Sequence, residues 1–201
     1  MADHYYSKKP QTESKPKSWS FTLRGHLFQF ETDAGVFSKS EVDFGSRVLI
    51  DAFTMPNVDG PVLDVGCGYG PMGLSIAKTE ADRMVHMVDI NERAVNLSRK
   101  NAEVNGVQNV RIYESDGLSD VTETDFAAIL TNPPIRAGKE TIFRFYVDAY
   151  GKMRVGGELW VVIQKKQGAP STFDRLEEIF GQVSVVDKVK GYWIIKAEKV
   201  K

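Results

Sequence analysis

Asn132-Pro133-Pro134-Ile135 is the segment of this chain whose residue types are arranged for chemistry on a nitrogen atom. Two consecutive prolines fix φ at both positions and withdraw two backbone donors, which leaves a stiff turn rich in acceptors. The Asn132 side-chain oxygen and the Pro133 carbonyl can then accept both hydrogens of one planar NH2 group. An exocyclic amine delocalises its lone pair into the ring and attacks poorly until alignment and hydrogen bonding concentrate density on the nitrogen. No strong base is required beforehand, because the nitrogen turns acidic only as its new bond forms. Taken alone, the tetrapeptide also reads as a proline-rich strand exit.

A second segment gives the first its meaning. Val62-Leu63-Asp64-Val65 reads as a strand, and Gly66-Cys67-Gly68-Tyr69-Gly70 follows it before a helix opens at Pro71. Glycines let the backbone turn sharply and approach a ligand while helix N-terminal amides face it. Any adenosine-type cofactor suits such a loop. Gly68 to Gly73 also matches the dinucleotide fingerprint, with Asp89 about 20 residues on as a ribose-binding acid, so a nicotinamide-dependent oxidoreductase is a competing reading. Asp64, two residues before Gly66, weighs against it, as does Pro71 at the helix start. A carboxylate suits a cofactor carrying ammonium and sulfonium charge, whereas beside a pyrophosphate it repels. Cys67 reads as a small loop residue, since nothing supplies an activating base.

The elements that position these loops follow from periodicity. Val62–Val65, 84–89, 110–113, 126–131 and 158–163 read as buried strands, with helices over 70–79, 91–105, 139–153 and 171–180. Strands alternating with helices give an α/β fold, a doubly wound and mostly parallel sheet. Residues 183–189 and 192–199, joined through Lys190-Gly191, predict a terminal hairpin that adds one antiparallel strand. Ahead of the sheet, 20–31 predicts a hairpin around Gly25, and Ser40 caps a helix that Met55-Pro56 stops. Asn132 then falls at the carboxyl edge of the sheet, on the same rim as Gly66 to Gly70.

Val62 to Gly73 resembles motif I of class I S-adenosylmethionine-dependent methyltransferases, which have a Rossmann-like, seven-stranded fold. That resemblance implies a cofactor site of Asp64, Gly66, Cys67, Gly68 and Gly70. It further implies that Asp89, with Ile90, holds the ribose hydroxyls and that Asp116 and Gly117 meet the adenine. Singly, Asp89 and Asp116 are also ordinary turn or cap residues. Asn132-Pro133-Pro134-Ile135 resembles motif IV of amino methyltransferases acting on adenine, guanine, cytosine or glutamine amides. Their fourth residue is usually aromatic, and Ile135 lacks a π-face. Gly35-Val36-Phe37-Ser38 and Val42-Asp43-Phe44-Gly45-Ser46, with Arg136-Ala137-Gly138, resemble the catalytic domain of the ribosomal RNA small subunit methyltransferase C family, from about Phe21 to the C-terminus. The implied activity is methylation of a guanine N2 amine in ribosomal RNA, with an adenine amine or a protein glutamine amide as alternative targets. A non-catalytic RNA-binding assembly factor is a further alternative. Phe37, Ser38 and Asp43 are implied cofactor neighbours, although Ser38 reads equally as a helix cap. Larger members carry an additional N-terminal domain that this chain lacks.

Composition sets the frame. A chain of 201 residues, 42% hydrophobic and 26% charged, is sized for a single domain over 19–201, after a Lys- and Pro-rich stretch over 1–18 that reads as a flexible tail. The single cysteine and the missing apolar leader make the cytoplasm the expected compartment. No membrane span and no metal are expected. A formal charge of -1 excludes indiscriminate adhesion to nucleic acid, so an RNA or small-subunit partner requires a local basic patch. Residues 136–166 carry an excess of four positive charges. Most suit a solvated face, leaving Arg136, Lys139, Lys165 and Lys166 as candidate substrate contacts nearest the strand ends.

Overall fold

The computed structural model describes Lys8 and residues 12–37 and 41–201. A hairpin of β1 (Lys17–Leu23) and β2 (His26–Thr32) comes first, followed by α1 (Phe44–Ala52). The main sheet then builds through β3 (Val62–Val65), α2 (Pro71–Thr79), β4 (Val85–Asp89), α3 (Glu92–Val104), β5 (Val110–Glu114) and β6 (Phe126–Thr131). It closes with α4 (Lys139–Lys152), β7 (Met153–Gln164), α5 (Ala169–Phe180), β8 (Gly181–Val189) and β9 (Tyr192–Lys199). Strand order is β5-β4-β3-β6-β7-β9-β8, with β9 antiparallel to both neighbours and the other pairings parallel. The expected doubly wound sheet with one inverted strand is present.

Period-two alternation sends successive residues to opposite faces and makes two cores. Val62, Leu130, Trp160 and Ile194 face α1, α2 and α3, whereas Leu63, Ile129, Leu159 and Ile195 face α4 and α5. Burying each such side chain stabilises the fold by about 1.5–3 kcal/mol. The buried Trp160 indole donates to Glu158 Oε2 at 2.9 Å, and Lys196 meets Glu158 Oε1 at 3.0 Å, so no charge in that layer stands alone.

Three expectations need correction. Residues 110–113 were expected to be buried, but β5 is the sheet edge and none of its residues is fully buried, because β4 covers one side only. Helix α1 starts at Phe44 with Asp43 as its cap, Asp43 Oδ2 accepting from Ser46 N at 3.0 Å. Ser40, the expected cap, lies outside the described residues. Strand β1 opens at Lys17, within the stretch expected as tail, where Lys17 and Ser18 pair with Thr32 and Glu31.

The hairpin also docks on α3 by a device not visible in the pattern. Asn101 Oδ1 accepts from Glu31 N and its Nδ2 donates to Glu31 O, at 2.8 and 3.0 Å. Asn105 does the same for Gln29 at 2.8 Å each way. Two amides one helical turn apart thus pair with the outer edge of β2 as a strand would.

Candidate active site

Strands β3 and β6 are neighbours in register, with Val65 paired to Thr131, so the loops leaving them start one residue beyond a shared rung. The Thr131 hydroxyl donates to Val65 O at 3.0 Å and ties the two exits together. Above them lies a hollow of about 260 Å³, reached by both the glycine loop and the Asn-Pro-Pro turn. Gly66 and Gly68, at φ 77° and 58°, have nothing within 4 Å of where a Cβ would stand, so the cradle has a bare floor. Gly70 lies behind it, where a Cβ would come within 2.9 Å of Leu74.

At the β4 end, the Asp89 carboxylate is fixed by two backbone donors: Gly68 N reaches Oδ2 and Asn91 N reaches Oδ1, both at 2.9 Å. Burial raises its pKa above the ordinary carboxylate range. Ile90, Asp116 and Gly117 line the same end, and Phe37 lies across the opening, 43% exposed. Cys67 lines the hollow with its thiol beside Ser98 Oγ at 3.6 Å, and burial pushes that thiol far above its usual pKa, unlike a nucleophile.

Asp64 is placed differently from expectation. It is 2% exposed and does not line the hollow; its Oδ2 accepts from Gly73 N at 2.8 Å and so pins the first turn of α2. Burial, and secondarily the charge of Asp89, raises its pKa to about 7. Unfolded, the same carboxyl titrates near about 3.9. The folded protein therefore keeps a proton that the unfolded chain releases, and this contribution to stability is lost as pH rises from about 4 to about 7. Asp64→Asn keeps an acceptor for Gly73 N and removes the titration. Its Tm is expected to match the parent near pH 4 and exceed it by roughly 5 °C or more at pH 8. Thermal melts across that range check this; a pH-independent difference would refute it.

At the β6 end, Asn132 Nδ2 donates to Asp43 Oδ2 at 2.9 Å and to Ser46 Oγ at 3.1 Å. Because a carboxylate only accepts, the amide nitrogen faces Asp43 and the amide oxygen is left as the acceptor for a ligand. Asp43, expected beside the cofactor, lines the hollow but spends its Oδ2 on Asn132 and the α1 cap. Pro133 and Pro134 line the hollow as well. Ile135 does not: it begins a one-turn helix and packs against the core beneath α4. Aromatic cover at this end comes from Phe37 and Phe145. Arg136, Lys139, Lys165 and Lys166 are exposed and stand outside the lining. Ser38 lies outside the described residues. Sequence reading missed Ser46, Thr131 and Phe145; the helical period of α4 offered a signal for Phe145, three residues beyond Ile142 on the same side.

The charge of the lining decides between cofactors. Among the described residues it contains three carboxylates, from Asp43, Asp89 and Asp116, and no lysine, arginine or histidine. A pyrophosphate would meet only like charge there, whereas a sulfonium with an ammonium is complemented. The methyltransferase small domain model matches residues 27–196. The chain belongs to that family. As a methyltransferase of this kind it uses S-adenosylmethionine, and the acid-lined, bare-floored hollow fits that cofactor. The chain is 59% identical to the Bacillus subtilis protein YbxB over 201 residues, all of each being covered. It is 33% identical over 187 residues to ribosomal RNA small subunit methyltransferase C of Vibrio cholerae, covering 91% of this chain and 53% of that one. Among solved structures, the T. thermophilus 16S rRNA N2 methyltransferase RsmC, in complex with AdoMet and guanosine, superposes with a TM-score of 0.80 at 29% identity, covering 94% and 52%. The chain thus spans about half the length of these ribosomal RNA methyltransferases and the whole of the B. subtilis protein. Among the described residues, no helix is long and apolar enough to cross a membrane.

Proposed function

We propose that this methyltransferase acts on an exocyclic amine of RNA, the guanine N2 amine of small-subunit ribosomal RNA. The observation that carries this reading is the anchoring of Asn132 Nδ2 by Asp43 and Ser46, which turns Asn132 Oδ1 into a directed acceptor. With the Pro133 carbonyl it takes both hydrogens of the target NH2 and aligns its lone pair with the cofactor's methyl group. Asp89 takes the ribose hydroxyls, Asp116 and Gly117 border the adenine, and Gly66, Cys67 and Gly68 lie under the cofactor. When bound, the cofactor supplies an electrophilic methyl; the nitrogen forms the new N–C bond as the C–S bond breaks, and its surplus proton leaves to water afterwards.

A guanine in a duplex hides its amino group, so the target base is unpaired or flipped out, covered by Phe37 or Phe145 in place of an aromatic at position 135. Arg136, Lys139, Lys165 and Lys166, exposed outside the lining, serve to track phosphates of the RNA. The RNA reading is supported by relatives named as ribosomal RNA methyltransferases and by the guanosine held by RsmC.

The test is nucleoside mass spectrometry of ribosomal RNA from cells lacking this protein, paired with transfer of labelled methyl from S-adenosylmethionine to small subunits isolated from those cells. Loss of N2-methylguanosine at one position, restored by the protein, is the expected result. Label in N6-methyladenine redirects the reading to an adenine amine, and label in protein alone redirects it to a glutamine amide.

A further inference from the structure

Among the described residues the lining holds carboxylates and no cation, so phosphates flanking a target nucleotide call for cations beside the hollow. Next to Asp43, the first turn of α1 presents Phe44 and Arg47. The Arg47 guanidinium lies 5.4 Å from the Phe44 ring centroid and 5.6 Å from that of Phe21. The Lys190 ammonium, on the turn joining β8 to β9, lies 5.1 Å from the same Phe44 ring. Tyr192 packs on that ring at 5.6 Å, with its hydroxyl and Gln164 Nε2 hydrogen-bonded at 2.6 Å. Lys165 follows Gln164, and its backbone N donates to Gly191 O at 2.8 Å. The start of α1 and the β8–β9 turn thus bring two cations together on one aromatic ring, directly beside the residue that anchors Asn132, and the end of β7 carries Lys165 next to that turn.

These charges lack counter-ions. Among the described residues, none of Arg47, Lys165 and Lys190 forms an ion pair, and Arg47 Nε is buried without a hydrogen-bond partner. Two cations held against one ring repel each other, and the adjacent carboxylate of Asp43 is turned to Ser46 N and Asn132. Lys190 also sits at φ 47°, a left-handed position that Asn or Gly adopts more readily than lysine. An unpaired cation kept in a strained turn, aimed at a ring that already carries a guanidinium, is suited to an external polyanion.

We propose that Arg47, Lys165 and Lys190, held in place by Phe44 and Tyr192, form the binding surface for the phosphodiester backbone of the RNA strand next to the target nucleotide. This rests on the reading of RNA as substrate. It also supplies docking from within the domain itself.

The test uses the full chain, loaded with S-adenosylhomocysteine and titrated into a fluorescent single-stranded RNA of about 12 nucleotides at rising KCl. The variant R47M/K190N keeps an apolar stem between the two rings and places a residue at 190 that tolerates the left-handed turn. Its Tm and S-adenosylhomocysteine affinity are expected to match the parent. Its RNA affinity is expected to fall about tenfold at about 0.1 M salt. The slope of log K against log salt is expected to become shallower by about 1.4, from two lost contacts of about 0.7 each. Parent-like affinity and slope in the variant overturn the surface alone. Absence of any binding by the parent overturns the RNA reading and the surface with it. An equal loss measured with an acidic peptide of matched charge assigns the surface to acidic proteins and overturns it as an RNA surface.

Discussion

Asn132→Ala is expected to lower kcat by about 10³-fold while leaving S-adenosylhomocysteine affinity within about threefold of the parent. The asymmetry follows from where the side chain is anchored. Both of its donor contacts run to α1, to Asp43 and Ser46, and neither runs to the glycine loop or Asp89. Deleting the amide therefore removes the acceptor-side grip without unmaking the cradle. Alignment and directed acceptors act mainly in the transition state, so the loss belongs in kcat. Single-turnover transfer of labelled methyl, with calorimetry of S-adenosylhomocysteine on the same preparation, measures both halves. Turnover close to the parent's would eliminate the proposed role. Ser46→Ala, which removes one of two anchors and leaves Asn132 in place, is expected to fall between the two.

The second large effect is on the cofactor. Asp89→Ala is expected to weaken S-adenosylmethionine binding by about 10²-fold or more, from two ribose hydrogen bonds to a charged acceptor at about 1.5–3 kcal/mol each. Backbone donors from Gly68 and Asn91 reach the two Asp89 oxygens, so the carboxylate is held in place where it lines the hollow, with acceptor capacity left for a ligand. Asp89→Asn, which keeps one acceptor oxygen, is expected to lose less affinity than the alanine variant. Calorimetric titration decides, and unchanged affinity in both would refute the assignment of the ribose site.

What could be read from the residue string is what the local backbone demands. Gly66, Gly68 and Gly70 all adopt positive φ after a four-residue strand that is apolar but for Asp64, and such a requirement is written in residue type and order. The turn at Asn132-Pro133-Pro134 is stiff for the same kind of reason, and the antiparallel placement of β9 follows from the turn at Lys190-Gly191. What could not be read depends on residues far apart. Ser46 and Asp43 meet Asn132 across 86 and 89 positions, and no period or spacing links them. Asp64 was expected to face the ligand because a carboxylate beside a glycine loop has a charge argument. Its strand position turns it instead toward α2, where Gly73 N claims it. Ile135 follows the same logic, since the turn that presents Asn132 rotates the fourth residue onto the α4 core. The candidate substrate residues Arg136, Lys139, Lys165 and Lys166 are exposed outside the acidic lining, because sequence shows charge and not which side of a strand end it leaves from.

The bond from Asn132 to the first turn of α1 has a consequence for biosynthesis. Helix α1 precedes the whole parallel sheet, yet its capping residue completes the grip only after the sixth strand has been added and packed. Closing so long a loop is entropically costly and comes late in assembly. A polypeptide that stops before position 132 lacks the acceptor-side asparagine together with the strands and helices that complete both cores, and is expected to be inert. Chemical competence is thus withheld until the two halves of the chain have joined.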